Sequence, residues 1–144
     1  HACVENGHLD ATIAMLKLGA KQLTSMQGAS PLLISLQYKH PKIARVLLRG
    51  KKEDFKKILQ NAHVNVQAPQ DGIFPLFVAA GAGYVNIVKR LIKLGANLTL
   101  KTKQGVSALD YAKYRRKHAV VKLLVKQKWK DKEQNKQRKR RKRR

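Results

Sequence analysis

The residues that could carry chemistry are few and scattered along the 144-residue chain. His1 and Cys3 are close enough to suggest a metal pair, but no second cysteine supplies the thiolates that a structural zinc site usually has. The eight Asp and Glu residues form no obvious acid–base pair. The glycine-rich stretch at 81–83 lies between two predicted helices rather than after a strand, so it lacks the context of a phosphate-binding loop. We therefore expect no catalytic residues, no metal and no cofactor, and predict that the chain is not an enzyme.

The chain carries a large excess of positive charge. Lys and Arg number 32 against 8 Asp and Glu, which gives a formal net charge of +24 at pH 7. Such an imbalance favours acidic partners, namely nucleic acid, an anionic membrane or an acidic protein. The excess is strongest near the C-terminus, where residues 126–144 hold 12 Lys and Arg against 2 acids.

Cysteine content and hydropathy indicate the compartment. Cys3 is the single cysteine, so the sequence has no intrachain disulfide framework, which is typical of a reducing environment. No apolar run approaches the ~18 residues that a membrane-spanning helix needs. We therefore predict an intracellular protein of the nucleus or cytoplasm. Because the chain begins at His1, inside a repeat, we expect further sequence upstream.

The elements that would position any site recur with a regular spacing. The apolar pairs that end the second helix of each unit are separated by 32, 44 and 33 residues. These pairs are Met15-Leu16, Leu47-Leu48, Leu91-Ile92 and Leu124-Val125. A period near 33 residues indicates a stacked repeat, in which each unit buries its apolar face against its neighbours. The longer middle step indicates an 11-residue insertion after Gly50, and the helical spacing of Phe55, Ile58 and Leu59 predicts a short extra helix there.

Each unit is predicted to contain two helices joined by a turn. Pro31 and Pro75 stand at the first position of a helix, where the φ of proline is already suitable and its missing N–H is not needed. Ser107 is expected to cap the first helix of the last unit. Gly95 is expected to end the second helix of the unit before it, because glycine readily adopts the left-handed conformation.

This layout resembles the ankyrin repeat. Residues 72–96 match its pattern best, at Gly72, Pro75, Leu76, Ala79, Ala80, Gly83, Ile87, Val88, Leu91, Ile92, Gly95 and Ala96. Residues 1–20 and 28–50 match in part. Residues 105–126 match least and have Arg116-Lys117 where the family has Gly-His. The resemblance implies an all-α fold, namely an ankyrin-repeat α-solenoid of helix-turn-helix units with β-turn fingers.

The resemblance covers residues 1–128 and divides them into four units. These are a partial repeat at 1–27, a repeat at 28–50 followed by an insertion at 51–68, a repeat at 69–101 and a capping repeat at 102–128. The polar character of the last unit suits an end cap, because the outer face of such a unit meets water. The remaining residues, 129–144, are predicted to form a basic tail.

The resemblance also implies a binding surface, because ankyrin-repeat proteins use the concave face made by the fingers and the first helices. The expected contact residues at the ends of the first helices are Glu5, Asn6, Gln37, Tyr38, Tyr114 and Arg115, with Gly81 and Ala82 as the exposed equivalents in the third unit. Those on the fingertips are Gln27, Gln70, Asp71, Ile73, Lys103 and Gln104. Tyr38, Tyr114 and Arg115 belong to the residue types most often found as interface anchors.

The tail ends in an uninterrupted basic cluster, which consists of Arg138, Lys139, Arg140, Arg141, Lys142, Arg143 and Arg144. We expect Trp129 to pack the last helix against the core, and we predict disorder beyond about residue 132 because no apolar face follows. The cluster fits three functions, in order of preference. They are a nuclear-import signal for an importin-type receptor, a nucleic-acid contact and an anionic-membrane tether that lacks an apolar anchor.

The sequence therefore predicts a non-catalytic scaffold that binds another protein through the concave face and has no small-molecule substrate. Its basic tail would act in nuclear import or contact acidic polymers. The alternative is a nucleic-acid-binding protein, in which the tail and the basic surface of the repeats are the main ligand site.

Overall fold

The computed structural model of the protein describes residues 1–17, 30–49 and 64–141. In these residues the helices are α1 (Ala2–Glu5), α2 (Leu9–Lys17), α3 (Pro31–Gln37), α4 (Pro41–Arg49), α5 (Pro75–Ala82), α6 (Val85–Lys93), α7 (Ala108–Tyr114) and α8 (His118–Arg141). The described part of the chain contains no strand, apart from one antiparallel bridge between Lys101 and Ser107. The predicted helix around Phe55 and the predicted fingertip at Gln27 lie outside the described residues.

The helices form two layers. Consecutive helices pack as pairs, α1 with α2, α3 with α4, α5 with α6 and α7 with α8. The first helices α1, α3, α5 and α7 contact one another in order and form one layer, and the second helices α2, α4, α6 and α8 form the other. This arrangement confirms the prediction of an all-α solenoid built from repeated helix pairs.

The core lies between the two layers and extends from unit to unit. Ala79, Ala80 and Ala112 are fully buried in the first helices, where their small side chains let neighbouring backbones approach closely. Val88 and Val120 are completely buried on the facing stripes of α6 and α8. Each unit therefore depends on its neighbours for part of its buried apolar surface.

Two of the first helices begin at a serine cap. The Ser30 hydroxyl accepts a hydrogen bond from the Leu33 amide at 3.2 Å, one residue before Pro31 begins α3. Ser107 and Asp110 form a capping box at the start of α7, in which each side chain bonds the backbone of the other residue. The predicted cap at Ser107 is thus confirmed, and it is reinforced by a carboxylate three residues later.

Each first helix leads to its second helix through a residue in the left-handed conformation. The φ angles are 77° at Gly7, 60° at Lys39, 80° at Gly83 and 55° at Arg116. A residue with a Cβ pays about 1–2 kcal/mol for this conformation, and glycine avoids that cost. The turn therefore keeps one geometry in all four units, although two of them have no glycine there.

The C-terminal segment differs from its prediction. Helix α8 continues without a break from His118 to Arg141, so the predicted disorder beyond about residue 132 is wrong. The segment from 126 to 141 contains neither glycine nor proline and consists mainly of Lys, Arg, Gln and Glu, which are favourable helix formers. The helix is anchored at its start by the buried side chains of Val120 and Leu124.

Trp129 does not pack against the core, contrary to the prediction. Its side chain is 72% exposed, and Val125, four residues earlier, is 36% exposed. The two residues share a face of α8 that points away from the repeats. The stripe that faces the repeats runs instead from Leu124 to the half-buried Gln127, Lys128 and Asp131.

Candidate functional site

Two fingers lie side by side and carry most of the predicted fingertip residues. In the first, the Ala68 amide donates to the Ile73 carbonyl at 2.8 Å. In the second, the Thr102 amide donates to the Val106 carbonyl at 3.0 Å. The Lys103 amide donates to the Asp71 carbonyl at 3.0 Å, and this bond joins the two fingers directly.

The fingertip residues differ in their exposure. Gln70, Lys103 and Gln104 are exposed at the tips. Asp71 is half-buried, because its Oδ1 accepts a hydrogen bond from the Ile73 amide at 2.9 Å and so shapes the turn. Ile73 is also half-buried and packs against the core. The tips therefore present polar side chains to solvent, while Asp71 and Ile73 mainly support the fingers.

Gln67 fixes the distance between the two fingers. Its side-chain amide donates to the Gly72 carbonyl at 3.0 Å and to the Lys101 carbonyl at 2.8 Å. Gly72 itself has no room for a side chain, because a Cβ there would lie 2.8 Å from the Lys103 amide nitrogen. The fingertip surface is thus held by backbone contacts, which makes it a preformed surface rather than a loose loop.

At the other end of the face, Glu5 and Tyr38 come together from α1 and the end of α3. The Tyr38 hydroxyl hydrogen-bonds to the Glu5 carboxylate, and this bond, together with the negative charge of Glu5, raises the pKa of Tyr38 above its usual value of 10.0. His40 adds a second link, because its Nε2 donates to the Glu5 carbonyl at 2.9 Å. Tyr38 remains 52% exposed despite these contacts.

An aromatic stack runs along the first-helix layer between the last two units. The rings of Phe74 and Phe77 are tilted at a centroid distance of 5.7 Å. Phe77 and Tyr111 stack in parallel at 4.3 Å, and Tyr111 and Tyr114 follow at 6.5 Å with an interplanar angle of 15°. The stack begins in the core and ends at Tyr114, whose side chain is 80% exposed.

The prediction that Gly81 is an exposed contact position is wrong. Gly81 is buried because the Tyr111 ring lies across it, and a Cβ on Gly81 would stand 2.1 Å from Tyr111 Cε1. Phe77 and Tyr111 were not singled out in the sequence, although they are one repeat plus one residue apart. This spacing is the sequence signal for the stack, but it indicates a contact only once the packing of neighbouring units is known.

The end of α7 combines the exposed ring with positive charge. The Arg115 guanidinium lies 5.9 Å from the centre of the Tyr111 ring, within the range of a cation–π contact. Asp110 stands one turn earlier, where the hydrogen bond from Ser107 is the main reason that the pKa of this carboxyl lies below its usual value of 3.8. Ser107 Oγ donates to Asp110 Oδ2 at 2.6 Å, so the carboxylate is occupied within its own turn.

The remaining predicted contact residues lie at the same level of the layer. Asn6 is the C-cap of α1, and Gln37 is the last residue of α3. Both side chains are exposed. Ala82 is half-buried next to Gly83. In the basic cluster, Arg138–Arg141 occupy the exposed end of α8, whereas the predicted residues Lys142, Arg143 and Arg144 lie outside the described part of the chain.

The structure offers little for metal or acid–base chemistry. Across residues 1–17, 30–49 and 64–141, no group of three or more His, Cys, Asp or Glu could hold a metal ion. A shallow groove of about 330 Å³ lies between residues 96–99 and α8. Its single carboxylate, Asp131, accepts a hydrogen bond from Gln127 at 3.0 Å, and no second titratable group lines the groove.

No helix in the part of the chain that the structure describes is both long enough and apolar enough to cross a membrane.

Comparison with known families agrees with this architecture. A family model described as ankyrin repeats (3 copies) matches residues 49–138, which is more than half of the chain. The chain therefore belongs to the ankyrin-repeat family. Ankyrin repeats generally mediate protein–protein interactions and are typically non-catalytic.

One curated relative is similar over a short region. The DExH-box ATP-dependent RNA helicase DExH2 of Arabidopsis thaliana is 46% identical over 48 residues, which is 33% of this chain. The chain spans about 3% of the length of that relative. The similarity is thus confined to about a third of this chain and to a small part of a much larger protein.

Proposed function

We propose that the chain is a non-catalytic scaffold that binds another protein through the concave face formed by its fingers and first helices. The observation that carries the proposal is the row of exposed side chains along one layer, which ends at Tyr114. This ring is 80% exposed although it continues an ordered aromatic stack. Large rigid rings of this kind lose little entropy on binding and often supply most of the binding energy.

A photocrosslinking experiment tests the surface. A benzophenone amino acid at position 114 or 38 is expected to crosslink to the bound protein, because both side chains face outward from the first-helix layer. The same group at Lys89, exposed on the second-helix layer, serves as the matched control. Crosslinks from position 89 alone would contradict binding through the concave face.

A second candidate function is favoured by helix α8. From Lys132 to Arg141 every residue is exposed, so the basic end of this helix is accessible on all sides. Lys and Arg on such a surface neutralise phosphates and release counterions, which makes affinity strongly salt-dependent. We propose this segment as a nucleic-acid contact or as a nuclear-import signal for an importin-type receptor, in an intracellular protein of the nucleus or cytoplasm.

Removing residues 133–144 separates the two candidate functions. The deletion removes eight Lys and Arg but no buried side chain of α8 described by the structure. We expect the truncated chain to lose salt-dependent binding of oligonucleotides. Binding of a protein at the concave face should be retained. The measurements are oligonucleotide affinity at several salt concentrations and pull-down of the crosslinked protein partner. Loss of that partner on deletion would contradict the concave-face proposal.

A further inference from the structure

The turn after α7 holds an arginine where glycine would be unstrained. Arg116 has a φ of 55°, whereas the equivalent positions of two other units are Gly7 and Gly83. Its side chain is exposed and makes no hydrogen bond, ion pair or ring contact with the described residues. Lys39 has a similar φ of 60°, so this conformation alone does not distinguish Arg116; what distinguishes it is the exposed ring and the cations beside it.

The neighbours of Arg116 make this end of α7 both aromatic and basic. Tyr114 exposes most of its ring, and Arg115 lies over Tyr111. Lys113 is also exposed. The nearest carboxylate on the helix, Asp110, is held by Ser107. Lys113, Arg115 and Arg116 thus flank one exposed ring in the chain, and of these three cations only Lys113 interacts with the Asp110 charge.

The opposite end of the same layer has a different charge. Glu5 lies beside Tyr38, two units away from Tyr114. Between them, in the third unit, Gly81 is buried beneath the Tyr111 ring and Ala82 is half-buried, so neither position adds an exposed ring. The layer thus has an acidic residue at one end and a basic, aromatic end at α7.

We propose that the end of α7 binds an acidic segment of a partner protein. The site consists of Tyr111, Tyr114, Arg115 and Arg116, and is called the Tyr114 patch below. An apolar or aromatic side chain of the partner would pack against Tyr114, and its carboxylates would pair with Arg115 and Arg116. Arg presents a planar fork of donors that matches a carboxylate, which suits this recognition. The inference rests on the proposed function of the concave face and specifies its ligand.

A protein segment fits the layer better than single-stranded nucleic acid. Bases bind along successive aromatic rings in a uniformly positive groove. Here the exposed rings of Tyr38 and Tyr114 are separated by Gly81 and Ala82, and the Glu5 carboxylate would repel a phosphate backbone. A polypeptide can carry acidic residues at one end only. Its charge distribution can therefore be complementary to that of the layer.

The test uses the whole chain and a displayed library of random peptides of about 12 residues, selected at ~150 mM salt. We expect the enriched peptides to combine Asp or Glu with an apolar or aromatic residue. One such peptide, carrying a fluorescent label, then serves as the probe for affinity measurements. Tyr114→Ala is expected to weaken its binding at least tenfold, as for an interface anchor.

The decisive variant is Arg116→Gly, with Lys39→Gly as its matched control. Both replace a left-handed residue by glycine, so both are expected to raise the melting temperature by about 2–4 °C. Only Arg116→Gly should weaken peptide binding, by about fivefold, because only this residue belongs to the Tyr114 patch. A more stable protein that binds less tightly cannot be explained by loss of folding.

Several results would overturn the inference. These include enriched peptides without an excess of acidic residues, equal binding by the wild type and Arg116→Gly, and an oligothymidylate that binds the patch with the same dependence on Arg116. Peptides that need Tyr38 or Gln70 but ignore Tyr114→Ala would overturn this site while supporting the concave-face proposal. A library that yields no enriched peptide would contradict both.

Discussion

At the scale of single residues, the first helices show how local hydrogen bonding sets a helix start. Ser30 and Ser107 both cap a helix through their hydroxyl groups. Only Ser107 also bonds a carboxylate, that of Asp110, and this bond holds the pKa of Asp110 below 3.8. Two caps of the same type thus differ in one titratable group, which makes their response to pH distinguishable.

Replacing Ser107 by alanine is expected to destabilise the protein by about 1 kcal/mol at neutral pH, because the cap and its partner for Asp110 are lost. A lowered folded-state pKa contributes stability above the unfolded value and loses it as pH falls through the folded value. The difference between wild type and Ser107→Ala should therefore shrink between about pH 4 and pH 2. Urea denaturation across this range provides the measurement.

The Ser30→Ala variant is the control for that experiment. Its cap has a leucine, Leu33, at the position of Asp110. The variant should also lose about 1 kcal/mol of stability. Its difference in unfolding free energy from the wild type should stay the same below pH 4. Parallel pH dependence in the two variants would show that the Ser107–Asp110 bond is not the source of the effect.

At the scale of helices, the contact between α5 and α7 depends on a missing side chain. Tyr111 of α7 lies across Gly81 of α5 and stacks on Phe77 at 4.3 Å. The stack continues to Tyr114, so the exposed ring is positioned by a contact between units. Gly81, which has no side chain, thus leaves the space that the Tyr111 ring occupies.

Gly81→Ala is expected to destabilise the protein by about 1–3 kcal/mol, because the new methyl group would force the Tyr111 ring to move. The double variant Gly81→Ala with Tyr111→Ala should lose less than the sum of the single losses, since the clash is absent without the ring. Chemical denaturation of all four proteins measures this coupling. Additive losses of unfolding free energy would mean that the Tyr111 ring does not contact Gly81.

The control is Ala82→Ser, because Ala82 is half-buried on the same turn of α5.

At the scale of the whole molecule, two parts differ in what stabilises them. The last three units share a core that extends from Leu32 to Leu124, and a second cluster around Val4 packs the first unit against α3 and α4. The end of α8 beyond Lys132 is exposed on every side and contributes no buried apolar surface. The stability of the repeats should therefore not depend on whether this end of α8 is helical.

Lys136→Pro tests that independence. Proline removes a backbone donor and clashes with the preceding turn, so the helix should break near this residue. We expect lower far-ultraviolet circular dichroism and an unchanged melting temperature of the repeats, with Lys136→Ala as the control that retains the helix. A lower melting temperature for the proline variant alone would show that the C-terminal end of α8 supports the repeats.

Much of the fold follows from short-range patterns in the sequence. The prolines at Pro31 and Pro75 and the cap at Ser107 predict helix starts, because each acts within one or two turns, and the period near 33 residues predicts that the helix pairs repeat. The family match confirms the repeat that these patterns indicate. The register of the repeats also placed Tyr38 and Tyr114 among the exposed positions at the ends of the first helices.

Other features were decided by tertiary structure. The aromatic stack needs Tyr111 to cross from one unit to the next, and this offset depends on how neighbouring helices pack, not on the residues of either helix. The exposure of Trp129 likewise depends on which face of α8 meets the repeats. Composition argued against order in the tail, because it contains little to bury; the structure shows a helix there, supported by propensity and by its attachment to a packed first turn. The sequence alone determined the helix starts and turns of the repeat, since those interactions are local, whereas the shape of the proposed binding surface was decided by contacts between units.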